Sequence, residues 1–148
     1  MYVYLCLLMK KFLFNANATY FNFGILFLRI VLGASFIYNH GFDKIADPSR
    51  WSKLGAQMEI MHIHFAPAFW GFMAAFAEFF GSVFLMLGLF TRISSFMLAF
   101  TMLVAFIAGH SASDFNAYPF EMMIVFITIM IIGPGKFSID AQISGFKK

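Results

Sequence analysis

The sequence predicts an all-α fold: an integral membrane four-helix bundle with a short interfacial helix between the first and second spans. Three observations carry that expectation. The 148 residues are 61% hydrophobic and only 11% charged, with a mean hydropathy of +0.82, far above the roughly half-apolar mix of a soluble domain. Apolar stretches recur at about 21–42, 67–90, 93–109 and 115–133, each close to the roughly 20 residues that cross a bilayer as a helix. The last two are short, and flanking residues are expected to complete their crossing. Turn-forming pairs separate the stretches: His40-Gly41, Ala66-Pro67, Thr91-Arg92 and Gly133-Pro134-Gly135.

Taken in order, Met1–Met9 is a short apolar run that precedes Lys10 and Lys11. This is the reverse of a signal peptide's order, so residues 1–20 read as a cytoplasmic or interfacial lead-in. The first span carries Arg29, Gly33, Phe36 and His40 on one helical stripe. The connection 43–66 has Asp47 and Pro48 as N-cap and first helical residue, followed by Trp51, Leu54, Met58 and Met61 on one face. That face fits an amphipathic connector in the outer interface or, functionally, a lid over a cavity. In the second span Gly71 with Ala75, and Ala77 with Gly81, permit close helix approach. The transmembrane domain covers 21–141, and 142–148 form a short basic tail.

Charge sets the orientation. Lys10, Lys11, Arg92, Lys136, Lys147 and Lys148 flank one side of the spans, against Lys44, Arg50 and Lys53 on the other. The positive-inside bias therefore places both termini in the cytoplasm. The net charge of +3 follows from this asymmetry and calls for no nucleic acid. A single cysteine, Cys6, excludes a thiol pair, an iron–sulfur centre and an internal disulfide.

The chemistry rests on ionisable groups inside the spans. Glu78 is the one ionisable residue of FMAAFAEFFGSVFLMLGLF, 72–90, and an unpaired charge in mid-bilayer costs about 3 kcal/mol or more. Arg29 is the expected partner. It precedes His40 by as many residues as Glu78 follows Pro67, so both count roughly 16 Å below the outer ends of their helices. Glu78, Gly81, Leu85 and Gly88 give the second helix a small-residue stripe to face it. His40, Lys44, His110 and Glu121 lie at the outer ends of their spans, Glu121 in line with Val125 and Thr128. Two readings stand: the pairs lock the helices together, or Arg29, His40, Lys44, Glu78, His110 and Glu121 form an intramembrane ligand or proton site.

Other chemistry carries less weight. His40 and His110 could ligate a haem, but both neighbour charges at helix ends. QMEIMHIH, with Met58, Met61, His62 and His64, offers soft and imidazole donors of the type copper takes, but in loose spacing that interfacial methionine explains as well. No nucleotide loop, Ser-His-Asp arrangement or zinc-protease motif occurs.

Arg29 within LRI-VLG, NHGFDKI (39–45), AEFFGSVFLMLGLFTR (77–92), His110, Glu121 and GPGKFSID (133–140) together resemble the DoxX family of small bacterial membrane proteins, over about 22–141. The resemblance implies a four-helix, multi-pass protein of the bacterial cytoplasmic membrane, with relatives that include the DoxD-type subunit of thiosulfate:quinone oxidoreductase. Gly81-Ser82 stands where the family often has Gly-Gly. The resulting expectation is an accessory or catalytic, quinone-interacting subunit of a membrane redox or detoxification system, with His40, His110 and Arg29 as donors and Glu78 or Glu121 as proton relays. The chain has no redox centre of its own in sequence, so a protein partner carrying redox chemistry is expected rather than an independent enzyme. A homo-oligomer, a small-solute or ion transporter, and a non-catalytic membrane scaffold are the rival expectations.

Overall fold

Apolar residues at helical period leave the backbone one way to satisfy its polar groups in hydrocarbon, which is to bond within each segment. The computed structural model describes residues 18–109 and 116–145, and these are helical, with no strand among them. Helix α1, Ala18–Ala46, is 29 residues long and contains a π turn at Ile37–Gly41. A connector of short turns follows, with α2 at Trp51–Gly55 between single-turn segments at Pro48–Arg50 and Ala56–Met61. Helix α3, Pro67–Leu87, has 21 residues and its own π turn at Ala77–Gly81. Helix α4 is Thr91–Gly109, 19 residues. These three helices are long and apolar enough to cross a membrane. Helix α5, Ala117–Ile132, is apolar but has 16 residues, a rise of about 24 Å against roughly 30 Å of hydrocarbon. A single turn, α6 at Ile139–Ile143, closes the described chain.

The helices run alternately up and down. Their ends define a base, with the start of α1, the α3–α4 turn and 133–145, and a mouth, with the connector and the start of α5. Helix α1 packs along α3, α4 packs on α5, and α4 also contacts the π turn of α3. Phe36, Leu85, Leu98, Met102, Phe126 and Ile129 from all four meet in one buried cluster. On α1 the buried face is Asn22, Ile25, Arg29, Gly33 and Phe36, while Phe27, Val31 and Tyr38 point outward. Of the expected stripe, Arg29, Gly33 and Phe36 are buried and His40, at its outer end, is half-buried.

Two expected boundaries move. His40-Gly41 does not end α1, because the π turn absorbs one extra residue and the helix resumes to Ala46. The turn between α3 and α4 is Gly88–Phe90, with Gly88 and Phe90 at positive φ, and Thr91 already begins α4. The lead-in before Ala18 and the last residues of the basic tail lie outside the described residues.

The connector has the expected start: Asp47 caps its first turn by accepting from Ser49 N at 3.1 Å, with Pro48 at the first position. The Ser49 hydroxyl, then its N–H, hold the Asp47 carboxyl below its ordinary pKa. The rest is docked on α3 at backbone distance. A Cβ on Gly55 would collide with the Pro67 carbonyl oxygen, and one on Gly71 with that of Trp51. Gly71 therefore admits the connector and not a second span. Gly55→Ala is expected to cost about 1–3 kcal/mol by overpacking, read as a fall in the thermal unfolding midpoint of the detergent-solubilised protein.

Candidate functional site

The two π turns lie against each other. A Cβ at Gly41 would fall 2.9 Å from Phe79 Cα and 3.0 Å from the Glu78 carbonyl oxygen, so only glycine permits this approach. Extra residues of this kind re-aim side chains and recur at functional sites. Here they bring α1 past its expected end and place Lys44 beside Glu78. Lys44 Nζ lies 2.7 Å from Glu78 Oε1 and 2.5 Å from Oε2. Glu78 is 3% exposed, while Lys44 keeps part of its side chain accessible. One helical turn from Lys44, His40 shares a 3.0 Å hydrogen bond between Nε2 and the Tyr118 hydroxyl. Both lie within electrostatic reach of the Glu78 carboxylate. Trp51 Nε1 donates to the Lys44 carbonyl at 2.8 Å, tying the connector to the same point.

Beside the ion pair is a cavity of about 230 Å³ between α3, α4 and the connector. Its walls are apolar apart from Lys44, Glu78, Gln57 and Thr101, and Leu54 and Met58 form its roof. The connector is therefore also a cover, fixed by its glycine contacts. Trp70 lines the cavity, and its indole Nε1 is buried with no partner. Phe96 and Phe100 line it and are also exposed on the outside of α4, so the cavity reaches the lipid-facing surface.

Arg29 is not part of this site, which corrects the expected Arg29–Glu78 pair. Measured from the true end of α1 at Ala46, Arg29 lies about 25 Å down the helix, at the base. There its guanidinium donates to the carbonyl oxygens of Pro134 and, at 2.7 Å, Phe137. Asp140 is its nearby countercharge. The same carboxylate accepts from Phe90 N and Thr91 N, each at 2.8 Å, capping α4, while Asp140 N donates to Gly88 O. Asn22 accepts from Lys136 N at 2.8 Å. The run GPGKFSID is thus a clamp that holds the base.

Glu121 is exposed, on the same outer face of α5 as Ile124 and Thr128, opposite the buried Phe126 and Ile129. The expected stripe of Glu121, Val125 and Thr128 divides: Val125 packs against the core, while Glu121 and Thr128 are exposed and away from the ion pair. His110 lies outside the described residues. Met58 is buried in the cavity roof, Met61 is half-buried, and His62 and His64 are exposed. Among the described residues no three His, Cys, Asp or Glu gather as a metal site. Tyr118, Trp70, Asn22 and Asp140 were not singled out in sequence. Asn22 alone left a local signal, one α1 stripe position seven residues before Arg29.

A set of long apolar helices around a partly buried ion pair and an apolar cavity defines a membrane protein with a pocket among its helices. The DoxX family model matches residues 24–111, more than half of the chain, and the protein belongs to the DoxX family. Neither the curated proteins nor the solved structures gave a match. The family match contains Arg29, the connector and the Lys44–Glu78 pair, whereas the resemblance beyond 111 rests on the sequence motifs.

Two substitutions probe this arrangement. Lys44→Met should lower stability by about 3 kcal/mol by leaving a buried carboxylate alone, and Lys44→Met combined with Glu78→Leu should recover most of that loss in thermal unfolding. Arg29→Lys should cost about 2 kcal/mol, because one ammonium cannot span two carbonyls as the guanidinium fork does.

Proposed function

We propose that this DoxX-family protein is an accessory, quinone-interacting subunit of a membrane redox or detoxification system. In this reading it is a four-span protein of the bacterial cytoplasmic membrane with both termini cytoplasmic, as the Lys and Arg distribution supports. The observation that carries the proposal is the cavity: apolar walls, one desolvated ion pair, and access from the lipid side.

An apolar cavity of about 150 Å³ already admits benzene, so about 230 Å³ suits a substituted six-membered ring whose apolar tail leaves past Phe96 and Phe100. A quinone bound there would supply two-electron, two-proton chemistry. The chain's own part is to place donors and a proton relay against the ring: Lys44 Nζ and Trp70 Nε1 as hydrogen-bond donors, and Glu78, which Lys44 holds in place, as the relay that passes inward the protons a ring takes up on reduction. His40 and Tyr118 extend the polar cluster toward the mouth. Electrons would come from a partner subunit. A through-passage for solutes has less support, since Leu85, Leu98, Phe126 and Ile129 are fully buried between the ion pair and the base.

The test uses the two tryptophans near the site. Titration with a short-tailed benzoquinone should quench intrinsic fluorescence saturably, and Ala74→Phe, which fills the cavity, should weaken binding at least about tenfold. Quenching that is linear, or the same in Ala74→Phe, would refute the proposal.

A further inference from the structure

We propose that a second groove, at the base between Arg92 and Lys136, binds the phosphate of an anionic phospholipid. The groove has a volume of about 640 Å³ and lies where α4 begins and α5 ends. It is independent of the cavity at the mouth and of the quinone reading.

The electrostatics of the groove are one-sided. Arg92 and Lys136 are both exposed, and among the described residues neither side chain has an ion pair or hydrogen bond. Arg92 sits against the turn that ends α5, with a Cβ at Gly133 falling 3.7 Å from its Nη2. Lys136 follows three residues after Gly133, its backbone N–H held by Asn22. The groove contains one acid, Asp140, and its charge is already committed. Both carboxylate oxygens accept backbone N–H groups of the α3–α4 turn, and Arg29 compensates the charge from the buried side. Two cations are left facing the groove.

The apolar part fits the rest of a lipid. Phe21, Phe90, Ile93 and Ile132 line the groove and are exposed, offering acyl chains a surface continuous with the lipid-facing helices. Basic pockets between helices at a membrane boundary bind anionic head groups through this combination. Selectivity also follows. The charge of the one carboxylate within the groove is already balanced by Arg29 and its two N–H donors, which leaves Arg92 and Lys136 unopposed, so a net anionic lipid is preferred over a zwitterionic one.

Native mass spectrometry of the detergent-solubilised protein, offered equal phosphatidylglycerol and phosphatidylethanolamine of the same acyl chains, tests this. The wild-type protein should retain phosphatidylglycerol preferentially. Arg92→Gln with Lys136→Gln should lower that retention about tenfold or more, with phosphatidylethanolamine unchanged, and Lys53→Gln, an exposed cation at the mouth, should have no effect. Equal retention of the two lipids by the wild type, a preference that survives the double substitution, or an equal fall in Lys53→Gln would overturn the proposal. Should the double variant fail to fold, Lys136→Gln alone decides: about a fivefold loss is expected, and no loss refutes the site.

Discussion

A carboxylate in hydrocarbon must have a cation or lose its charge, and much of the mouth of this protein follows from how Glu78 meets that condition. Its partner, Lys44, is available only because α1 continues beyond His40 to Ala46. The continuation needs the π turn at Ile37–Gly41, and Gly41 lets that turn press on the backbone of the other, at Ala77–Gly81. Lys44 in turn anchors the connector through Trp51, and the connector roofs the cavity with Leu54 and Met58. One desolvated charge thus orders two helices, a connector and a pocket.

The base solves the same problem differently. A buried guanidinium there donates from its two terminal nitrogens to main-chain carbonyls, and Asp140 joins it to the start of α4. Between the two polar ends, Phe36, Leu85, Leu98, Phe126 and Ile129 form a packed apolar layer. This layer stands between the polar groups of the mouth and those of the base.

The periodicity of the chain made the apolar helices, the buried face of α1 and the capped connector legible, because each depends on residues within a few turns of one another. Partner choice was not. Arg29 and Glu78 matched in depth only if α1 ended at His40-Gly41, and no local pattern announces that a glycine at a helix end marks a π turn instead of a stop. The family motif GPGKFSID could be quoted without its role, since Asp140 acts on Phe90 and Thr91 far away in sequence. Glu121 had the right period and the wrong direction: a stripe defines a face, but only packing defines which face turns inward. Nothing local in an aromatic-rich chain distinguishes Trp70, whose indole nitrogen is buried without a partner only through packing.

The clamp at the base also bears on how the molecule is made. Arg29 belongs to the first span, yet the carbonyls that satisfy it, at Pro134 and Phe137, and the carboxylate that compensates it, Asp140, come after the last. During synthesis the first helix must therefore enter the membrane with its guanidinium still facing water, lipid head groups or the insertion machinery. The bundle closes around that charge only when some hundred residues more have been added. The last part of the described chain is in this sense the lock for the first, and a ribosome that stalls before Gly133 leaves an open bundle with a charge inside it.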